Sequence, residues 1–183
     1  MKFVRDALDS YLVTHHSQEK GVVELNRLVT HDGELAGKNQ NKIIVSMVNL
    51  EYETSRQFYG GRVPDGKEIA RVNPTQHFNI QTLLCASFDD YQESLKLLAA
   101  AIGFFQQYPA LNRALFPDMP AGLDLLQLEI ENASLSDTYN LWSSLGAKYL
   151  PSVIYKIRHV AVDGEKITEA GYRVGQIAGS VSP

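Results

Sequence analysis

Residues 133–158 read ASLSDTYNLWSSLGAKYLPSVIYKIR. Ser134 is a helix-capping residue type, and Asp137 stands three residues on, where its capping-box partner belongs. Leu135, Tyr139 and Trp142 are spaced by four and three, so they share one helical face, which Leu141 and Leu145 widen. Gly146 falls where the backbone turns left-handed to leave a helix. Pro151 has no N–H and drives Leu150 toward extended geometry, so the helix cannot resume. Ser152 to Val162 then alternates as a strand does. The single Trp of the chain lies at this helix–strand corner. Nothing in the corner resembles catalytic chemistry, and Trp142, Gly146, Tyr149 and Pro151 are read as a structural keystone.

Toward the N-terminus the pattern alternates between helix and strand. Phe3, Val4, Ala7, Leu8, Tyr11 and Leu12 recur at helical spacing and predict a first helix ending near His15–Gly21. Val22–Val29 reads as a strand, and His31-Asp32-Gly33 and Gly37-Lys38-Asn39 as a loop. Lys42–Tyr52 is apolar on both faces, with Ile43, Val45 and Met47 on one and Ile44, Val48 and Leu50 on the other. That predicts a central strand covered twice, by the chain's own helices on one side and by a neighbouring subunit on the other. Glu53–Asn73 is polar, carries Gly60-Gly61, Pro64 and Gly66, and reads as a long loop. Pro74 opens a half-buried strand to about Ala86, with Phe78, Ile80, Leu84 and Ala86 on its apolar face and His77, Asn79 and Gln81 opposite. Asp90 with Glu93 starts a helix whose stripe is Tyr91, Leu95, Leu98, Ala99, Ile102 and Phe105. Leu111–Gly122 reads as loop and Leu123–Ile130 as a strand.

The fold class expected from this order is α+β, with a mostly antiparallel or mixed central sheet of about five strands and three main helices. One domain spans 1–163. Residues 164–183, with Gly171, Gly175 and Gly179, read as a tail that is flexible or ordered by a partner.

Composition excludes several classes. The 183 residues carry 17 Lys and Arg against 21 Asp and Glu, a formal net charge of -4. Broad electrostatic binding of nucleic acid needs clustered positive charge instead. A lone cysteine, Cys85, rules out an intramolecular disulfide. Asp6 and Asp9 interrupt the apolar pattern that a signal peptide needs, and no apolar run approaches the roughly 18 residues of a membrane span. Synthesis in the cytoplasm is expected, with release inside a larger assembly left open.

Candidate chemistry fares poorly. His15-His16 are adjacent, so a helix points them apart. His31-Asp32 sits in a turn where Asp is favoured for backbone reasons. His77 and His159 are on separate strands, and a zinc site needs about three or four ligands in defined geometry. Cys85 lies in an apolar run and reads as a buried thiol. Asp89-Asp90 is explained by helix capping. Ser143-Ser144 is inside a helix, not on a strained elbow, and no phosphate-cradling glycine motif is present. No catalytic, cofactor-binding or metal residue is assigned. Arg56, Phe58, Tyr59 and Arg62 in the long loop have the residue types of partner contacts, and Tyr172 and Arg173 in the tail join them as interface candidates.

Four segments carry a family resemblance: KIIVSMVNLE at 42–51, FDDY at 88–91, IGFFQ at 102–106 and LWSSLGAKYLPSVIYK at 141–156. Over roughly residues 3–160 the chain resembles the tail terminator, or cap, proteins of extracellular contractile injection systems of the antifeeding-prophage and virulence-cassette type. The resemblance implies a structural subunit and no enzyme. It implies a homo-oligomeric ring, expected to be hexameric, at the end of inner tube and sheath distal to the baseplate, where it stops polymerisation. Partners implied are copies of itself and the sheath and tube proteins, with no nucleic acid, membrane or cofactor. The particle is released or stays inside the cell. The resemblance does not cover the 60–71 loop or the tail after Asp163. Three other readings stay open: an adaptor or connector elsewhere in the same particle, a ligand-binding sensory domain, and a small hydrolase using His31, Asp32 or His77.

Overall fold

The computed structural model describes residues 1–54, 62–65, 68–72, 76–120, 123, 125–162 and 167–172. The chain divides into two compact units, Met1–Glu51 with Phe78–Val160, and Tyr52–His77 with Ala161–Pro183.

The larger unit is built on a six-stranded sheet in the order β1-β2-β5-β8-β7-β6. Its strands are β1 (Val23–Leu25), β2 (Lys42–Tyr52), β5 (Gln76–Ser87), β6 (Ala110–Asn112), β7 (Leu125–Glu131) and β8 (Ser152–Val162). β1 runs parallel to β2, whereas β6–β7 and β7–β8 are antiparallel, so the sheet is mixed. The helices are α1 (Lys2–His16), α2 (Tyr91–Gln107) and α3 (Leu135–Leu145). The α+β class and three helices match the sequence reading, with six strands in this sheet where about five were expected.

Two cores lie on opposite faces of the sheet. On one face, Val4, Leu8 and Leu12 of α1 and Leu97, Leu98, Ala101, Phe104 and Phe105 of α2 pack with Ile43, Val45, Leu84, Leu126, Leu128, Tyr155 and Ile157. On the other, Trp142 of α3 packs with Leu28, Ile44, Leu83 and Cys85, flanked by Val48, Leu141, Leu145 and Ile154. The N-terminal half of β2 is therefore covered on both faces within the chain, with α3 over Ile44 and partly over Val48, whereas Met47 and Leu50 further along are 55% and 51% exposed. β5 is not half-buried as expected. Leu83 and Cys85 alternate with Leu84 and Ala86, so its C-terminal half is buried on both faces.

Buried polar groups tie the elements together. Asp9 accepts from the N–H groups of Gly21 and Val23, at 3.0 and 2.9 Å, which fixes α1 against the start of β1. The strand expected over 22–29 stops at Leu25. Beyond it Asn39 donates to the carbonyls of Arg27 and Leu28 at 2.8 and 3.0 Å, turning the chain out of the ladder.

The smaller unit holds β3 (Arg62–Asp65), β4 (Glu68–Val72) and β9 (Ile167–Tyr172), an antiparallel sheet in the order β3-β4-β9. This corrects the reading of Glu53–Asn73 as loop throughout. Val63, Ile69 and Val72 are strand-forming residues; β3 and β4 pair locally as a hairpin, whereas the other neighbour of β4, β9, lies about a hundred residues further along.

Candidate assembly surfaces

The corner around Trp142 forms as its sequence requires. Ser134 Oγ accepts from the Asp137 N–H at 3.1 Å, and the Asp137 carboxylate accepts from the Ser134 N–H at 3.2 Å and from its hydroxyl at 2.6 Å. The Ser134 hydroxyl and N–H, in that order, hold the Asp137 carboxyl below its usual range. Gly146 ends α3 with φ 64°, and its N–H and that of Ala147 close onto the carbonyls of Ser143 and Trp142. Pro151 is buried, and its carbonyl accepts from Ala86.

The apolar face of α3 is covered at one end alone. Trp142 is buried, yet Leu135 is 88% exposed and Tyr139 72%. The residues that meet the sheet are Thr138, Leu141, Trp142 and Leu145, a set rotated away from the Leu135–Tyr139 side. Tyr149, 64% exposed, lies against the indole with ring centroids 5.4 Å apart. Leu135, Tyr139 and Tyr149 thus form an uncovered apolar strip beside the keystone. Sequence reasoning placed the first two on one helical face with Trp142, since spacing identifies a shared face but not what lies over it.

α2 departs from its reading in the same way. Its buried side is Ser94, Leu97, Leu98, Ala101, Phe104 and Phe105. Of the expected stripe, Leu98 and Phe105 are buried and Ile102 partly so. Tyr91, Leu95 and Ala99 face outward, with Tyr91 63% and Leu95 45% exposed. At 100° per residue the two stripes are centred about a quarter-turn apart. The helix carries more apolar circumference than one packed face uses, and that excess was the missed signal.

Of the interface candidates, Arg56, Phe58, Tyr59 and Arg173 lie outside the described residues. Arg62 pairs with Arg71 in the β3–β4 register and Tyr172 with Glu68 in β4–β9.

The places where chemistry was sought are structurally occupied. Asp90 caps α2 by accepting from the Gln92 N–H at 2.9 Å, and Asp89 is held by Asn41. Cys85 is fully buried, and burial pushes its thiol up to about 12. His31 and Asp32 are exposed in the turn closed by the Val29–Leu35 bridge. Among the described residues, no three His, Cys, Asp or Glu side chains gather as metal ligands. A hollow of about 520 Å³ beside Trp142 is lined by Leu28, Val29, Leu35, Ala147 and Leu150, with Glu34 and Lys148 as its charged lining. The charged residues of β8 are spent on neighbours: Lys156 reaches Glu51 at 2.9 Å and Arg158 reaches Glu129 at 2.7 Å. The hydrogen bond to Glu51 leads the groups that raise the Lys156 pKa. Among the described residues, no helix is long and apolar enough to cross a membrane.

The sequence profile of the Pvc16 N-terminal domain matches residues 2–176. The chain belongs to that family. Two solved structures are similar to this Pvc16 N-terminal domain over its whole length. One is the sheath/tube terminator of an extracellular contractile injection system, PVC, in its extended state, at 16% identity and a TM-score of 0.61, covering 100% of this chain and 63% of that one. The other is the tube-terminating cap of the anti-feeding prophage, AFP, at 14% identity and a TM-score of 0.61, covering 100% and 62%. At these identities the likeness is one of fold. The chain spans under two thirds of the length of either structure. No curated protein matches its sequence.

Proposed function

We propose that this chain is a structural cap of a contractile injection system, a subunit that ends the inner tube and sheath at the pole distal to the baseplate. The observation that carries the reading is the whole-chain likeness of fold to two terminating caps, together with membership in the Pvc16 N-terminal domain family. On this reading the chain works by surface complementarity and is not an enzyme. It assembles as a homo-oligomeric ring, hexameric in the simplest case. It contacts sheath and tube proteins, is made in the cytoplasm, and becomes part of a particle. The segment from residue 164 onward, apart from β9, which pairs with β4 inside the chain, is the part a partner engages.

Physics suits the role. A stacked tube exposes a binding surface at its growing end. A ring that covers this surface without reproducing it leaves the next subunit no template. Repetition of one contact around the ring adds avidity without strong single contacts.

Deleting the gene in a particle-producing strain and measuring tail lengths by electron microscopy tests the proposal. The expected result is a broad length distribution, restored to one length by the wild-type chain. Particles of unchanged uniform length without the chain would overturn it.

A further inference from the structure

α2 and α3 lie on opposite faces of the same sheet, and each carries an apolar strip that nothing in its unit covers. On α3 the strip is Leu135 and Tyr139, one helical turn apart, extended by Tyr149. On α2 it is Tyr91 and Leu95, also one turn apart, extended by Ala99. Scattered exposed apolar residues are ordinary on a monomer. Two strips at helical spacing, one beside the packed stripe of α2 and one beside the buried Trp142 of α3, are not scatter.

We infer that these strips are the two halves of one contact between copies of this chain, the α3 strip of one copy packing on the α2 strip of the next. The sheet separates the strips, so no single copy brings its own two together. Each strip pairs a Tyr with a Leu at i,i+4, a ridge of the kind that interdigitates when helices pack. On α2, Ala99 at one end allows close approach of the partner. A contact between two different patches is heterologous, and repeated about an axis it makes a closed ring rather than a symmetric dimer. The α3 strip with Tyr149 offers on the order of 400 Å². That is about half of the roughly 800 Å² one partner gives to a standard interface, with the polar flanks of both helices as rim. Tyr-rich, charge-poor centres are the composition of such interfaces. The inference rests on the ring reading above and names the surfaces that build it.

Two double variants of the full chain test it, Leu135→Glu with Tyr139→Glu, and Tyr91→Glu with Leu95→Glu. All four sites are exposed, so melting temperatures within a few degrees of wild type are expected. Light scattering after size exclusion is expected to give a ring mass for wild type and a monomer mass for each variant alone. An equimolar mixture is expected to give a one-to-one pair, because it retains one intact α3 strip facing one intact α2 strip. If either folded variant alone still forms the ring, the surfaces are misassigned. A variant that keeps the ring but no longer restores tail length would show that its strip faces tube or sheath, which also overturns the inference. A wild-type chain that stays monomeric at high concentration would refute the ring itself, and the inference with it, whatever the variants do.

Discussion

Among the described residues, Tyr155 and Trp142 in the cores hold buried polar atoms with no hydrogen-bond partner. Tyr155 is buried against Phe105, with ring centroids 4.7 Å apart, and its hydroxyl has no partner among the described residues. Burial pushes its pKa up to about 12. An unpaired buried hydroxyl costs stability, so Tyr155→Phe should be neutral or stabilising, by up to about 1 kcal/mol, in urea unfolding at pH 7. The sign of the pH effect follows from the raised value. Below about pH 10 both folded and unfolded phenols hold their protons. Between there and about 12 the unfolded phenol ionises first, so stability drains as pH rises. Wild type should lose stability relative to Tyr155→Phe over that window, and parallel pH profiles would show that the hydroxyl is solvated. The indole Nε1 of Trp142 is likewise buried without an acceptor among the described residues. Its contribution must come from packing. Trp142→Ala should cost roughly 3–5 kcal/mol, read as a lower denaturation midpoint at unchanged slope. A variant melting with wild type would remove the keystone role.

At the scale of elements, much was legible because local rules and tertiary demands agree. The bounds of α3, its capping box, the left-handed Gly146 and the start of β8 after Pro151 follow from residues 134–152 alone. β2 was legible as a strand from its alternation, though only its N-terminal half is covered on both faces. What failed was what alternation cannot encode. β3 and β4 pair locally, a hairpin hidden in a polar stretch, and only the pairing of β4 with β9 depends on a distant partner. β1 ends early because of Asn39, thirteen residues beyond Asn26. The exposure of the strips was not legible, because periodicity reports which residues share a face and is silent on its cover. In α2 two apolar stripes overlap, and the wrong one was taken as buried. The mistake is informative, since a helix with two apolar stripes has one more than its own fold consumes. The interface candidates drawn from loop composition gain nothing from the structure, whereas the strips stand on observed exposure.

At the scale of the whole molecule, the fold supplies rigid helices on both faces of one sheet, held by two separate cores. A subunit that ends a polymer needs such stiffness, because its surfaces must meet neighbours in fixed directions. It needs no convergence of ionisable side chains, and the carboxylates around α2, α3 and β8 are engaged in caps and ion pairs. The alternative readings ask for different things. A hydrolase on His31, Asp32 or His77 asks for converging side chains, and His31 and Asp32 are exposed in a turn. A sensory domain asks for a ligand in the hollow beside Trp142. The most direct measurement is to locate the chain on the particle by gold labelling of a tagged copy under electron microscopy. Label confined to the tail end opposite the baseplate is the expected result. Label spread along the tail, or seated at the baseplate, would contradict the cap.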